Sequence, residues 1–360
     1  MKQQTGRRRP AINRRVRRNR RIHKRKRPGM AIHPYAVNLD VFRRAGQQAG
    51  QGAPEEREAF IRHAFQSWHE HGKAVEGTFP TYDSAILAGK AFMEGYAHAA
   101  GRNLDLVPLL LRRPAAAVVC ACNEEQTLPQ VLRQLKRLPL EDIIVVLNGT
   151  KDNSLERVIS EKGITIVYEP ERAGHDVGRA LGAKMTMADS VLFVDGDMVL
   201  PAEQLAPFLY EIDRGSDVAL NDISSLIPPF ARQDEVSRIK AYLNRTLGRP
   251  DLGSNSMTAV PHAVSRRMID TVKPESLVVP PKAQTLAIHH GLAIAAPARV
   301  DVIRTNRLRK SNIGSGNEVA KLIIGDHLEA LAVWLKLSEE SGRASPGISR
   351  IEVAYRRNGR

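Results

Sequence analysis

From Ala115 onward, short apolar runs alternate with stretches of helical spacing at intervals of about 25 residues, the rhythm of repeated strand–helix units. The runs are AAVVCAC (116–122), DIIVVLN (142–148), ITIVYE (164–169), SVLFVD (190–195) and DVALND (217–222). Their apolar character is nearly continuous, which predicts strands covered on both faces and hence a mainly parallel sheet between helices. In such a sheet ligands bind outside the carboxyl ends of the strands, so the residues that follow each run carry the information. Upstream, Phe60, Ile61, Ala64, Phe65 and Trp68 recur at helical spacing within residues 55–72, up to Gly72. A second helix is predicted from an N-cap at Thr81 to Gly101. Its small residues Ala85, Ala88, Gly89, Gly95 and Ala99 predict close packing against a neighbour.

Charge changes this picture only at the amino end. The 360-residue chain has a formal net charge of +15, but 14 of its Lys and Arg lie in residues 1–27, which hold no acid, so the rest is close to neutral. That tail has too few apolar residues to bury anything and is predicted to be disordered alone. Its cations suit an anionic membrane, an acidic polymer or, less well, a nucleic acid. No apolar segment of signal-peptide form follows it, and no stretch approaches the length of a membrane span. The two cysteines, Cys120 and Cys122, fall on one face of a strand, where a mutual disulfide would be strained. A reduced, cytoplasmic setting is the expectation, with peripheral contact at the inner face of the membrane through the tail.

Each strand end carries chemistry. After the first run, Asn123 is placed to cap a helix, with Glu124 and Glu125 in its first turn. After the second, Asn148-Gly149 makes a turn and Asp152 or Asn153 caps the next helix. After the third come Gly174, Gly178 and Gly182 with Arg172 and Arg179; glycines admit a ligand to the backbone, and arginine recognises phosphate with a planar fork. The fourth ends in Asp195-Gly196-Asp197, a carboxylate pair suited to Mn²⁺ or Mg²⁺ shared with substrate phosphates. No G-x-G-x-x-G follows the first strand, which disfavours a dinucleotide-binding dehydrogenase. The basic glycine-rich loop of a nucleotidyltransferase is likewise replaced by NEEQTLP.

The ordered elements VVCACNEEQTLPQVL, LNGTKDNS, GHDVGRALGA, FVDGD and GSNSMTAVPHAVSRRM give residues 115 to about 300 a resemblance to a family 2 glycosyltransferase of the GT-A fold. The resemblance implies an α/β, Rossmann-like sheet over residues 113–305. Beside it stand a disordered tail (1–30), an N-terminal helical module (31–112) and a C-terminal helical extension (306–360). It implies a hexosyltransferase, inverting in outcome, that moves a sugar from a nucleotide-diphosphate sugar, UDP-sugar favoured, to an unidentified acceptor such as a lipid phosphate or cell-envelope polymer. Glu124 and the strand end at Cys122 would line the nucleoside pocket, with Asp152 beside it. At Asn148 the family's pattern carries an acid, so the base is left open. Gly174 to Arg179 would lie near the diphosphate. Asp195 would tend toward the ribose and Asp197 toward the metal, with His327 or His289 completing the metal shell. Gly253, Ser254 and Asn255 resemble the acceptor-side loop.

One departure stands out. Where inverting members carry an acidic pair that deprotonates a hydroxyl, this chain has Val278, Val279, Pro280 and Pro281. Glu275 and Asp222 are the substitute candidates for a catalytic base. A phosphate acceptor needing no base, a retaining reaction, or a domain without turnover each accommodates the departure. The last is the rival reading: a degenerate GT-A domain whose basic tail binds an anionic polymer or nucleic acid.

Overall fold

The structure, a computed structural model, describes residues 38–75, 79, 81–302 and 318–340. The predicted basic tail lies outside the described residues, as does most of RTNRLRKSNIGSGNE, residues 304–318, whose arginines, lysine and glycines read as a basic loop. The described residues, from Asn38 onward, form one compact unit.

Three helices come first: α1 (Leu39–Gly50), α2 (Arg57–Ala74) and α3 (Tyr82–Ala100). The ends of α3 follow the sequence. The Thr81 hydroxyl accepts the Ser84 N–H at 3.2 Å, Ser84 reciprocates in a capping box, and Gly101 closes the helix at φ +64°. The close packing predicted for α3 is made with α1, where a β-carbon at Gly95 would collide with the Arg43 carbonyl and one at Gly46 with the Phe92 carbonyl. α2 is tied down by Trp68, whose indole N–H donates to Pro108 O at 2.9 Å.

The sheet follows. β1 (Ala115–Ala121), β2 (Asp142–Asn148), β3 (Thr165–Glu169), β4 (Ser190–Asp195), β5 (Val218–Asn221), β6 (His262–Ser265) and β7 (Ile294–Ala298) lie in the order β3-β2-β1-β4-β6-β5-β7. β6 runs antiparallel to both its neighbours, and the other pairings are parallel. This mainly parallel, helix-flanked sheet is the α/β architecture that the apolar runs predict. All five sequence-derived strands are present; β6 and β7 were not foreseen.

β1 explains why the runs are apolar throughout. Ala117, Val119 and Ala121 face a core with Leu128, Leu132, Leu205 and Leu209. Those leucines come from α4 (Leu128–Leu135) and α7 (Ala202–Asp213). Ala116 and Val118 face the opposite core, with Ala180 and Ala183 of α6 (Val177–Lys184). Helix α6 lies so close that a β-carbon at Gly182 would overlap Val118. Gly182 is therefore a packing glycine, not a ligand-approach glycine; substitution by Ala overpacks the site at a cost of about 1–3 kcal/mol. α3 reaches the same body through Tyr82, whose ring meets Tyr210 of α7 at 5.1 Å.

α5 (Ser154–Ile159), α8 (Glu235–Thr246), α9 (Arg266–Val272), α10 (Pro280–His289) and α11 (Glu318–Glu340) complete the helices used below. α11 packs on α8 and α10: Ala330 joins Leu243 and Leu247, Glu329 pairs with Lys282 at 3.0 Å, and Trp334 meets His289. Among the described residues no helix is long and apolar enough to cross a membrane.

Candidate active site

The carboxyl ends of β1, β2 and β4 and the N-terminal end of α6 surround one cleft. It is lined by Cys120, Cys122, Glu124, Asn148, Arg172, Gly174, His175, Asp176, Gly178, Arg179, Asp195 and Asp197, and is open to solvent. Of the donor-site residues expected from sequence, Cys122, Glu124, Asn148, Gly174, Arg179, Asp195 and Asp197 meet here; Asp152 does not line it.

The strand-end loops are held by side chains that bond to backbone. Asn148 donates from Nδ2 to Gly174 O at 2.6 Å and accepts the Ala173 N–H at 2.9 Å, so its amide clamps the loop after β3. Asp152 accepts the Glu125 N–H at 3.1 Å and the Ser154 N–H at 3.0 Å and hydroxyl at 2.6 Å, joining the loops after β1 and β2. Burial pushes its carboxyl upward, and these hydrogen bonds outweigh that and leave it below the usual range. Asn123 is not a helix cap: it sits at φ +59° and accepts the Lys151 N–H at 2.7 Å. The following helix starts only at Leu128.

The electrostatic centre is Arg179, 4% exposed. Its guanidinium lies 2.5 Å from Asp176 Oδ1 and 3.8 Å from Asp195 Oδ1. Burial disfavours its charge, and the two carboxylates more than restore it. The sequence suggested an arginine that grips phosphate; the structure instead has its fork already engaged, fixing two acids. Asp176 is raised by burial but held low overall by Arg179 and His175. His175 is raised by the Asp176 carboxylate at 3.6 Å. Asp195 is pushed up by burial, with Arg179 opposing and Asp197 adding. Burial pushes the Cys120 thiol up to about 12, leaving it inert. Arg172 stays exposed on the cleft wall.

Sequence reasoning underused His175 and Asp176, both within the quoted GHDVGR, and missed His262. That ring is fully buried beneath the cleft, stacked on Phe193 at 5.2 Å. Its Nδ1–H donates to Ala259 O at 3.1 Å and Nε2 has no partner, while burial and then Arg179 drive its pKa down to about 3. Asp326 of α11, which the sequence offers beside His327 in a long amphipathic helix, also bears on the cleft. Its carboxyl is raised to about 6 by burial, with Asp176 and Glu329 adding and His175 and Arg179 opposing, so it lies within electrostatic reach of the cleft cluster.

Other candidates lie elsewhere. Glu275 is exposed and pairs with Lys184 at 2.5 Å, at the end of α6 remote from the cleft, and does not line it. Asp222 accepts from Asn255 Nδ2 at 3.1 Å, outside the cleft. His327 is fully buried; its Nδ1–H donates to Ile323 O at 2.7 Å and its Nε2 lies 3.4 Å from Ser256 Oγ, so neither nitrogen is aimed at the carboxylate pair. His289 packs against His290 and Trp334. The acceptor-loop residues are turned inward. Ser254 donates to Ser237 O at 3.0 Å, Asn255 accepts from Ser224 N–H at 3.0 Å, and Gly253 takes φ +53°.

The cleft fits a divalent cation. Asp195 and Asp197 flank one glycine at its edge and both line it, two carboxylates of the kind a hard divalent ion prefers. Among the described residues no cluster of three or more His, Cys, Asp or Glu could hold a metal by itself, so a cation here would draw its remaining ligands from diphosphate and water.

The model of "Glycosyl transferase family 2" matches residues 116–270. None of the curated proteins compared matches the chain. Among solved structures, glucosyl-3-phosphoglycerate synthase from Mycobacterium tuberculosis in complex with uridine-diphosphate is similar at 18% identity and TM-score 0.45, over 61% of this chain and 81% of that one. The same enzyme with Mn²⁺, uridine-diphosphate and phosphoglyceric acid is similar at 21% identity and TM-score 0.44, over 61% and 78%. The crystal structure of a mycobacterial protein is similar at 20% identity and TM-score 0.45, over 61% and 76%.

Proposed function

Residues 116–270 are a family 2 glycosyltransferase domain, and from that premise we propose that the protein transfers a sugar from a nucleotide-diphosphate sugar, UDP-sugar favoured, to an acceptor, with Mn²⁺ or Mg²⁺. The observation that carries this reading is the meeting, in one cleft, of the β1 and β2 ends, the Gly174–Arg179 segment and the Asp195/Asp197 pair.

The roles follow from position. Cys122 and Glu124 form the wall against which the nucleoside lies, and Asn148 shapes it by holding the 173–174 backbone. Asp197 and Asp195 would hold the cation, and Arg179 keeps Asp195 oriented at the cleft edge. A bound Mn²⁺ or Mg²⁺ supplies Lewis acidity to the departing diphosphate. Arg172, the exposed guanidinium of the cleft wall, is the side chain available to a phosphate. Inversion with a hydroxyl acceptor requires a base, and Glu275 and Asp222 are both engaged outside the cleft. An acceptor that attacks through an already ionised oxygen meets this arrangement without one. The basic tail is the segment proposed to bring the enzyme to an anionic membrane or polymer.

The test is thermal stability with UDP, GDP and CDP and their sugar conjugates, each with and without Mn²⁺. A rise for one nucleotide that requires Mn²⁺ supports the reading and names the base. No rise with any of them removes it, and favours the degenerate-domain alternative.

A further inference from the structure

Helix α11 (Glu318–Glu340) turns one face to its own chain and leaves another bare. His327 and Ala330 are buried, and Leu331 and Trp334 join Ala330 in packing against Leu243, Leu247 and Ile288. Lys321, Gly325, Leu328, Ala332, Leu335 and Glu339 are all exposed, Leu328 at 55% and Leu335 at 59%. Their spacing is 4, 3, 4, 3 and 4, the narrow seam of a coiled coil rather than the wider stripe of a helix laid on a core.

Gly325 is the seam position that the chain's own packing does not explain. A glycine inside a helix weakens it relative to alanine. A β-carbon there would meet nothing within 4 Å, and the residue lies well inside α11, so neither a close approach nor a turn calls for it. A missing side chain on a seam makes a hole, and the knob of a facing helix fills a hole.

The seam is complementary to itself when reversed. Against an antiparallel copy centred at residue 330, Gly325 faces Leu335, Leu328 faces Ala332 and Lys321 faces Glu339, each pair made twice. Every leucine then meets a small residue and every charge its opposite. A parallel copy in register sets Lys321 on Lys321, Glu339 on Glu339 and Gly325 on Gly325, which repels at both ends and leaves a gap between. Glu329, beside the seam near its centre, pairs with Lys282 of its own chain at 3.0 Å, which offsets its charge at the axis.

We propose that this face of α11 is an interface for a second copy of the same chain, packed as an antiparallel, two-fold pair of helices. Such an interface uses the same patch on both copies and closes at a dimer. A single helix pair is smaller than a standard interface, so dimer and monomer exchange at micromolar concentrations. The pairing does not depend on the transferase reading.

The experiment is sedimentation velocity on the full-length protein over a range of micromolar concentrations. Wild type is expected to show a concentration-dependent equilibrium between monomer and dimer. Leu328→Gln is expected to lower the association constant by at least about tenfold. Lys321→Glu, which sets like charges opposite Glu339 twice, is expected to lower it by about fivefold. Adding Glu339→Lys to Lys321→Glu is expected to restore association to within about twofold of wild type. The two residues stand about 27 Å apart along one helix, so that rescue comes only from a pairing across copies. All three positions are exposed, and the dilute variants should melt as wild type does. A wild type that sediments as monomer at every concentration overturns the proposal. A dimer indifferent to either single substitution, or one that the double exchange fails to restore, overturns it as well.

Discussion

Between Cys120 and Asp197 the polar side chains at the strand ends stand around a cleft open to solvent, whereas between Asp222 and Gln284 they close on one another. On the first side, Asp195 and Asp197 keep carboxylate surface toward the cleft and Arg179 is shared between two acids. On the second, Asn244, Gln284, Ser254 and Asn255 form a buried network: Gln284 Nε2 donates to Asn244 Oδ1 at 2.8 Å and its Oε1 accepts the Met257 N–H at 2.9 Å. The two stretches read alike in sequence, each a glycine among small polar residues after an apolar run. What separates them is spare hydrogen-bonding capacity: the first can coordinate a ligand, and the second fixes a wall.

The largest expected effect breaks the first side. Asp197→Ala should lower release of UDP from a UDP-sugar by about 100-fold or more while leaving the melting temperature nearly unchanged, because the side chain lines the cleft and in the proposed function would hold the cation. Full activity in that variant would sever the cleft from the chemistry. Next is Arg179→Leu, which leaves Asp176 and Asp195 without their shared counter-charge and should cost about 3–5 kcal/mol in urea unfolding. A loss under about 1 kcal/mol would mean that the cation is not what holds that edge.

On the second side, Asn244→Ala removes two donors to loop carbonyls and the acceptor for Gln284, and should cost about 2–3 kcal/mol. Its stabilisation by UDP and Mn²⁺ should equal that of wild type. A variant that loses nucleotide binding in proportion to stability would show the two sides to be one cooperative site.

The uneven legibility of the sequence has the same origin. The five strands could be read because burial on both faces leaves an unbroken apolar run, and α3 because Thr81 and Gly101 mark its ends chemically. Helix α1 could not: its buried positions are Phe42, Gly46 and Gly50, and contacts made by glycine backbone carry no hydrophobic signal. β6 and β7 were hidden by His262, Pro297 and short alanine-rich segments, which become strands through tertiary pairing. The carboxylate pair was legible as a motif. The partner of Arg179 was not, since its engagement depends on a fork held 2.5 Å from Asp176. Glu275 and His327 were misplaced for a related reason: composition names a titratable group, but helix phase and loop path decide which way it faces.

Asp326 makes that last point measurable, and the effect is the smallest of the set. Its neighbour His327 turns toward Ser256, while Asp326 acts on the cleft's own acids and is raised to about 6 by burial, Asp176 and Glu329. A carboxyl that binds its proton more tightly when folded destabilises the fold as pH rises from its ordinary value toward 6, and the penalty is complete above that. Asp326→Asn removes the penalty, so the variant should melt higher than wild type at pH 7.5 and equal to it near pH 4. Mn²⁺ with UDP should narrow the difference at pH 7.5 if the cation offsets the acids that repel Asp326. A variant that melts identically at both pH values would place Asp326 away from the cluster and return the cleft to the residues of its sheet alone.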